Sequence, residues 1–200
     1  MSDDTLILDL GIGNIANVRK VTGGKIGHDT YDIHRAGKII LPGVGNFGEV
    51  MERLEPLRDH ILEAAAEGKY ILGICLGMQL FFNTSEERSG RGLGLLNGEV
   101  SRFRKVRTPH IGWNQLWINK ECPILKDVPD GSYFYFVHSY YVEPEEPDIV
   151  AGSTEYGSGE EQVSFPSVVW DDNVFGVQFH PEKSSEKGLR MLKNFRELRT

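Results

Sequence analysis

The chain has 200 residues and a net charge of -7 at pH 7, with 40% hydrophobic and 26% charged residues. This size and composition predict a single domain over residues 1–200. The negative charge disfavours nucleic-acid binding, which needs a basic face. No apolar run approaches the ~20 residues of a membrane helix. The N-terminus lacks the basic start of a signal peptide, and two cysteines are too few for a disulfide framework. We therefore expect a cytoplasmic protein that binds neither nucleic acid nor membrane.

Apolar runs alternate with a helical pattern in the first half of the chain. The runs over 5–10, 38–43 and 69–74 predict short buried strands. Apolar residues at helical spacing predict a helix over 50–65, and the proline within it divides it into two pieces that meet near Glu55. Strands that alternate with helices are typical of a parallel sheet buried on both faces.

The second half of the chain has a different pattern. After residue 92, short apolar runs follow one another with brief turns between them, which predicts a partly antiparallel, strand-rich portion. The loop over 156–162 is rich in glycine and glutamate and is expected to be exposed. The last segment, 184–198, predicts a helix whose apolar side carries Leu189, Leu192, Phe195 and Leu198. The expected fold is α/β: an open, mostly parallel central sheet with helices on both faces, plus the antiparallel portion.

Cys75 lies in the sequence Gly-Ile-Cys-Leu-Gly, directly after the third apolar run. A free cysteine in apolar surroundings is usually a small buried hydrophobe. The flanking glycines also fit the strained strand-to-helix turn on which some hydrolases carry a nucleophilic serine, with a thiol in its place. Such a turn would place the sulfur above the carboxyl edge of the sheet, beside a helix N-terminus that favours thiolate. Taken alone, this stretch leaves both interpretations open.

His180 and Glu182 follow another apolar run, over 174–179. On an extended segment, residues two positions apart face the same way. A carboxylate at Glu182 could then hydrogen-bond one imidazole nitrogen while the other faces a thiol. The alternative is an ion pair at a strand end, which is common and weak. The combination with Cys75, at the ends of two apolar strands, favours a catalytic arrangement.

A glycine-rich loop, Leu-Pro-Gly-Val-Gly-Asn-Phe-Gly over 41–48, follows the second apolar run. Two backbone N–H groups aimed at one point make an oxyanion hole, and the amides of Val44 and Leu76 are the candidates. The alternative is a simple loop. No Gly-Lys-Ser/Thr follows it and no His/Cys cluster has zinc spacing, so we expect no phosphate loop, no metal and no cofactor.

The motifs LPGVG, GICLGMQ and HPEKS, in this order, resemble those of the class I, triad-type glutamine amidotransferases. Further motifs are similar to those of one subfamily, the glutaminase subunits of imidazole glycerol phosphate synthase in histidine biosynthesis. These motifs are GIGN at 11–14, LPGVGNFGEVM at 41–51, PHIGWN at 109–114, YFVHSYYV at 135–142 and TEYG at 154–157. The resemblance covers almost the whole chain.

The resemblance implies that Cys75 is the nucleophile, that His180 is the general base and acid, and that Glu182 orients the histidine. It implies that L-glutamine is held by a set of residues around the loop and the cysteine: Gly45, Gln79, Glu87, His138, Ser139 and Tyr140. The product ammonia would pass to a (β/α)₈ cyclase subunit, which makes imidazole glycerol phosphate and aminoimidazole carboxamide ribonucleotide. The implied face of this heterodimer is formed by Asn14, Trp113, Asn114, Tyr135 and Lys183.

Two questions remain open in the sequence. The stretch 17–38 is short for the family, which puts its strand in doubt. The chain could also be a glutaminase of another pathway, such as anthranilate or guanylate synthesis, or a stand-alone thiol hydrolase; PHIGWN and GIGN disfavour these. A non-catalytic module with Cys75 as a redox sensor is a third interpretation, and it has no need for Glu182.

Overall fold

The computed structural model describes residues 5–11 and 15–199, apart from the side chain of Ser89. Its strands in these ranges are β1 (Thr5–Leu8), β2 (Lys25–Gly27), β3 (Lys38–Gly43), β4 (Tyr70–Cys75), β5 (Thr84–Ser85), β6 (Gly90–Arg91), β7 (Gly98–Arg102), β8 (His110–Ile118), β9 (Ser132–His138), β10 (Tyr140–Pro144), β11 (Val150–Tyr156), β12 (Val163–Asp171) and β13 (Val174–Val177). Its α-helices are α1 (Ile15–Thr22), α2 (Thr30–Arg35), α3 (Phe47–Leu54), α4 (Arg58–Ala66), α5 (Leu76–Gln79) and α6 (Ser185–Glu197). None of these helices is long and apolar enough to cross a membrane.

One large sheet runs through the molecule, with strand order β2-β1-β3-β4-β13-β12-β11-β8-β9. Pairing is parallel from β2 as far as β13. From β13 to β9 every pairing is antiparallel. A second, smaller sheet has the order β10-β7-β5-β6. The expected α/β architecture with an antiparallel portion is therefore present, and the change from parallel to antiparallel pairing falls at β13.

Helices cover both faces of the parallel strands, because alternate strand residues point to opposite sides. Leu6 and Leu8 belong to one buried cluster, which also contains side chains of α2, α3 and α4. Ile7, between them, belongs to a second cluster, which contains side chains of α1 and α6. The core is thus two layers separated by the sheet.

Several predicted elements are confirmed. Strand β3 spans the predicted residues 38–43, where an apolar run meets a proline and a glycine. The helical segment after it is divided as predicted: α3 ends at Leu54, a single 3₁₀ turn covers Glu55–Leu57, and α4 follows. The loop predicted over 156–162 is exposed from residue 157 onward, whereas Tyr156 is half-buried and ends β11.

Three expectations need correction. The doubtful strand in 17–38 does form, as β2, a three-residue edge strand parallel to β1. The strand before His180 ends at Val177 instead of Phe179. Leu189 does not lie on the buried side of α6, since it is 42% exposed. A Cβ at Gly188 would lie 2.0 Å from the Pro181 carbonyl oxygen, so this glycine faces the core and Leu189 is turned outward.

Candidate active site

Cys75 occupies a sharp turn between β4 and α5. Its backbone has φ +55° and ψ -109°, a conformation that non-glycine residues rarely adopt. The neighbouring glycines are required by close packing: a Cβ at Gly77 would lie 1.8 Å from the Leu41 carbonyl oxygen, and one at Gly73 would lie 2.5 Å from the Met78 nitrogen. The turn predicted from the glycine pattern is present. However, α5 has only four residues, so the dipole that it offers to the sulfur is small.

Besides His180, two polar groups from distant parts of the chain lie within hydrogen-bond distance of the buried Cys75 sulfur. The thiol donates to the Val137 carbonyl oxygen across 3.8 Å. The side-chain nitrogen Nε2 of Gln178 donates to the sulfur across 3.6 Å. The nucleophile candidate therefore sits between a hydrogen-bond acceptor and a hydrogen-bond donor.

His180 and Glu182 form a buried pair, with Nδ1 of the histidine 2.9 Å from Oε1 of the carboxylate. Both side chains are only 2% exposed. The segment is not extended, as the sequence reasoning assumed. Pro181–Lys183 form a 3₁₀ turn, and this turn brings the carboxylate back to the imidazole. The contact was predicted from the right residues with the wrong local geometry.

Strand β9 holds this turn in place through its backbone. The His180 N–H donates to the Tyr135 carbonyl oxygen at 2.8 Å. The Ser184 hydroxyl donates to the His180 carbonyl oxygen at 2.6 Å and accepts from the Tyr135 N–H at 2.9 Å. The position of the imidazole is thus tied to the edge strand of the large sheet.

The charge of His180 is decided by its neighbours. Burial lowers the pKa of the imidazole, but the Cys75 sulfur and the Glu182 carboxylate outweigh burial and raise that pKa to about 10. Among the described residues no group meets hydrogen-bond geometry at Nε2. We therefore read the influence of Cys75 as that of a nearby sulfur and not of a closed hydrogen bond.

A cavity of about 290 Å³ opens beside Cys75. It is lined by the sulfur-bearing turn, the glycine-rich loop and the end of β9, through Val44, Gly45, Cys75, Leu76, Gln79, Glu87, Pro109, Val137, His138, Ser139 and Tyr140. All six residues that the resemblance assigned to glutamine are among them, as are both oxyanion-hole candidates. A larger cavity, of about 690 Å³, lies against α1 and shares none of these residues.

Two buried histidines form a hydrogen-bonded chain at this cavity: His138, which lines it, and His110, which does not. His138 Nδ1 lies 2.8 Å from the Tyr140 carbonyl oxygen, which can only accept, so Nδ1 carries the proton. Burial lowers the pKa of His138 to about 3 and that of His110 to about 4. Both rings are therefore neutral near pH 7, and His110 Nδ1 donates to His138 Nε2 across 3.1 Å. The Asn114 amide donates to the remaining nitrogen of His110 across 3.3 Å and completes the chain.

Strands β8 and β9 carry exposed aromatic side chains on their outer side. We call this surface the aromatic face; it consists of Ile111, Trp113, Trp117, Tyr133 and Tyr135. Trp113 is 53% exposed and packs edge-on against the half-buried Tyr135, with ring centroids 6.1 Å apart. The Lys183 ammonium lies 5.7 Å from the centre of the Tyr135 ring.

Three of the five residues predicted to meet a partner therefore lie together: Trp113, Tyr135 and Lys183. The Asn114 side chain points to the opposite side of β8, where its amide donates to the Glu155 carbonyl oxygen. Asn14 lies outside the described residues. The roles assigned to these residues, to the cavity residues and to Cys75, His180 and Glu182 stay predictions.

Sequence reasoning did not identify Gln178 or His110 as site residues. Both act through contacts with residues far away in the chain, since Gln178 and Cys75 are 103 positions apart. One signal was available. A glutamine within the apolar run 174–179 is a polar group in a buried segment, and such a group needs hydrogen-bond partners.

One group in the described residues has the composition of a metal site, away from the cavity. His34 of α2 and His60 and Glu63 of α4 bring their ligand atoms within 4.8 Å of one another. The two imidazole nitrogens are 3.1 Å apart, and the cluster is exposed to half-exposed. The expectation that the chain needs no metal stays a prediction.

Known proteins resemble the chain both in sequence and in fold. A sequence model described as "Glutamine amidotransferase class-I" matches residues 17–198. The imidazole glycerol phosphate synthase subunit HisH of Thermococcus kodakarensis is 60% identical over 193 residues, which are 96% of this chain and 98% of that protein. The same subunit of Pyrococcus furiosus is 56% identical over 98% of this chain and 100% of the relative. A crystal structure of a glutamine amidotransferase has the same fold, with a TM-score of 0.74 and 16% identity over 97% of this chain and 99% of the other.

Proposed function

The chain belongs to the class-I glutamine amidotransferase family, and on this premise we propose that Cys75, His180 and Glu182 hydrolyse L-glutamine to glutamate and ammonia. One observation supports this more than any other. A buried histidine–carboxylate pair lies beside a thiol on a strained turn, at the wall of a cavity lined by polar groups. A redox sensor would have no use for a carboxylate that raises the pKa of the neighbouring imidazole.

The first half of the reaction starts from a thiolate–imidazolium pair, in which the proton lies on Nε2 of His180 because the raised pKa of this histidine keeps it protonated. The Cys75 sulfur then attacks the side-chain amide carbon of glutamine, and the carbonyl π electrons move to oxygen. The backbone N–H groups of Val44 and Leu76 hold this oxyanion in the proposed mechanism, since both residues line the cavity. Glu182 stabilises the imidazolium through Nδ1 and fixes its orientation.

In the second half, the imidazolium returns its proton to the departing nitrogen, the carbon–nitrogen bond breaks, and ammonia leaves with a thioester on Cys75. His180, now neutral, takes a proton from water while the water oxygen attacks the thioester carbon. A second oxyanion collapses, the carbon–sulfur bond breaks, and glutamate leaves. The sulfur departs as thiolate and the imidazolium is regenerated, so the site returns to its starting charge.

We further propose that the partner is a (β/α)₈ cyclase subunit and that the aromatic face is the surface on which it docks in the cytoplasm. The relatives are named as subunits of imidazole glycerol phosphate synthase, which implies a second subunit in those proteins. Large exposed aromatic residues are frequent energetic anchors of protein interfaces. The backbone of Tyr135 in this face also bonds to His180, so docking would act on the strand that positions the imidazole.

The central experiment is glutamine turnover by the chain alone, with the cyclase, and with the cyclase plus its nucleotide substrate. We expect slow turnover by the chain alone and a rise in kcat with each addition, on the hypothesis that the loop backbone at Gly45, which has φ +112°, must rotate before an N–H points at the oxyanion. No turnover in any of the three would remove the proposed function. Turnover that is the same in all three would leave a thiol hydrolase without a coupled partner.

The docking surface is tested separately. Trp113→Ala should weaken binding of the cyclase by at least about tenfold, as expected for the loss of an interface anchor. Tyr31→Ala is the matched control, since Tyr31 is an aromatic residue on α2 that is at least as exposed as Trp113. Acrylamide quenching of tryptophan fluorescence should fall when the cyclase is added. Unchanged binding by Trp113→Ala would place the interface elsewhere.

A further inference from the structure

Gln178 is a buried primary amide that the mechanism above does not use. It lies two residues before His180, is fully buried, and is not part of the cavity wall. Its backbone N–H donates to the Ser167 carbonyl oxygen at 2.9 Å. A buried amide side chain destabilises the fold unless both its oxygen and its nitrogen have hydrogen-bond partners. The neighbouring donors and acceptors therefore determine which way the amide of Gln178 is oriented.

The orientation of this amide follows from a chain of contacts that begins at a carbonyl group. The Tyr140 carbonyl oxygen can only accept, so the Gln79 atom 3.0 Å away is the nitrogen Nε2. The second hydrogen of that nitrogen points to the side chain of Gln178, 3.0 Å away, which must therefore present its oxygen. The nitrogen of Gln178 is then left facing the Cys75 sulfur at 3.6 Å. At each step only one orientation of the amide satisfies the hydrogen bonds.

The two polar neighbours of the sulfur respond in opposite ways to ionisation. A thiol can donate to the Val137 carbonyl, but a thiolate has no proton to donate and is repelled by that oxygen. The N–H of Gln178 is a weak partner of the thiol and a strong partner of the thiolate, because hydrogen bonds to charged groups are the stronger ones. The short helix α5 supplies little dipole, and the N–H of Gln178 adds to the positive potential that His180 provides at the sulfur.

We propose that Gln178 is a catalytic residue of this site, whose Nε2–H donates to the Cys75 sulfur and stabilises the thiolate before it attacks. The catalytic part of this proposal rests on the proposed function, in which Cys75 is the nucleophile of glutamine hydrolysis. Gln79 has a double role in it. Its nitrogen fixes the amide of Gln178, which leaves only its oxygen for a ligand in the cavity.

The test measures the thiolate directly, through the rate of Cys75 alkylation by iodoacetamide across pH in the full-length chain. A Cys122→Ser background removes the other cysteine. In Gln178→Met, which keeps the length of the side chain without its donor, the midpoint of the rate profile should move to higher pH. The alkylation rate at pH 7 should fall by about ten- to a hundredfold, the effect expected for one hydrogen bond to a charged group.

A second variant keeps the test valid if Gln178→Met does not fold. Gln178→Glu still accepts from Gln79, but it presents an oxygen to the sulfur instead of an N–H group. It should move the midpoint at least as far. Gln162→Met is the control, since this glutamine lies in the exposed loop and its amide bonds to Glu155. It should have the wild-type profile.

Turnover with the cyclase separates this inference from the proposed function. Both Gln178 variants should lower kcat for glutamine, and Gln178→Glu, which still accepts from the cavity residue Gln79, should do so with KM nearly unchanged. Folded variants with the wild-type alkylation midpoint would overturn the role of Gln178, whether or not the wild-type complex hydrolyses glutamine. A wild-type complex that does not hydrolyse glutamine would overturn the proposed function, whatever the alkylation profiles show.

Discussion

Two buried histidines lie close to Cys75, and near pH 7 one is positively charged while the other is neutral. His180 has a pKa raised to about 10, with a sulfur and a carboxylate beside it. His138 has a pKa lowered to about 3, with a carbonyl oxygen and a second neutral histidine beside it. Both side chains are almost fully removed from water. Burial alone therefore does not decide protonation here; the partner atoms do.

This difference in protonation suits the two histidines to different roles. A histidine that holds and releases a proton needs a negative partner to stabilise its charged form, and Glu182 supplies it. A histidine that only shapes a cavity is best kept neutral, since a fixed tautomer gives fixed hydrogen bonds. His138 donates to Tyr140 and accepts from His110, and this arrangement would be lost if a second proton were added.

Cys75→Ser should give the largest effect. In the complex, glutamine hydrolysis should fall by at least about a thousandfold, because removal of a nucleophile from a triad costs this much or more. The sulfur also raises the pKa of His180, so that pKa should fall and His180 should become more like His138. Imidazole titration by NMR measures the change. Cys122→Ser should retain activity, and retained turnover in Cys75→Ser would exclude it as the nucleophile.

Glu182→Gln should remove most of the difference in pKa between His180 and His138, while the side chain keeps its size and shape. Without the carboxylate the imidazolium loses its stabilising charge, so kcat should fall by about 10²–10⁴. KM should change little, since Glu182 is not in the cavity wall. Glu197→Gln, at the exposed end of α6, is the control. A raised KM with unchanged kcat would instead place Glu182 in substrate binding.

The two neutral histidines, His110 and His138, should make the free energy of unfolding fall in mild acid. Unfolded histidine titrates near ~6.5. The pKa values of His110 and His138 are lower in the folded state, so the unfolded chain binds more protons as the pH falls. Their contribution to stability is complete above pH 6.5 and is lost as the pH falls towards about 4. Between pH 7 and pH 5 this loss is on the order of 3 to 4 kcal/mol for the two groups together.

Urea unfolding at the two pH values measures this loss. The double variant His110→Phe/His138→Phe should lack that part of the pH dependence. His28→Gln, which removes an exposed imidazole, should retain it. A double variant that loses as much stability as the wild type would show that other groups titrate in this range.

Asn114→Leu should give the smallest effect. It removes the donor to His110 Nε2, which loosens the neutral pair at its far end. We expect KM for glutamine to rise by a few-fold, about the effect of one neutral hydrogen bond, with kcat nearly unchanged. Asn119→Leu, just beyond β8, is the control. If KM is unchanged and cyclase binding is lost instead, Asn114 acts as the partner contact that the sequence predicted.

Local patterns were enough to predict much of this molecule. A proline and a glycine end β3, and a proline divides α3 from α4, so these boundaries follow from backbone chemistry within a few residues. The glycine turn at Cys75 was also predicted from its local pattern, although the atom that leaves no space for a Cβ at Gly77 belongs to the distant Leu41.

Features that depend on distant contacts were not predictable in this way. Leu189 matches the helical period but is exposed, because Gly188 packs against the Pro181 backbone. The turn that brings Glu182 to His180 is held by Tyr135, almost fifty positions earlier in the chain. The contacts of Gln178 with Gln79 and Cys75 form only when the sheet brings these residues together. The spacing of residue types along one sequence does not predict such long-range contacts.

The backbone of Cys75 limits how this protein can be made more robust. Its conformation, with φ +55° and ψ -109°, is one that glycine adopts freely and that costs another residue about 1–3 kcal/mol. A glycine there would relieve the strain and remove the sulfur at the same time. A variant library selected only for melting temperature would therefore drift away from the nucleophile at this position. In this fold, stability and reactivity compete for a single residue, and only a selection that scores both keeps the cysteine.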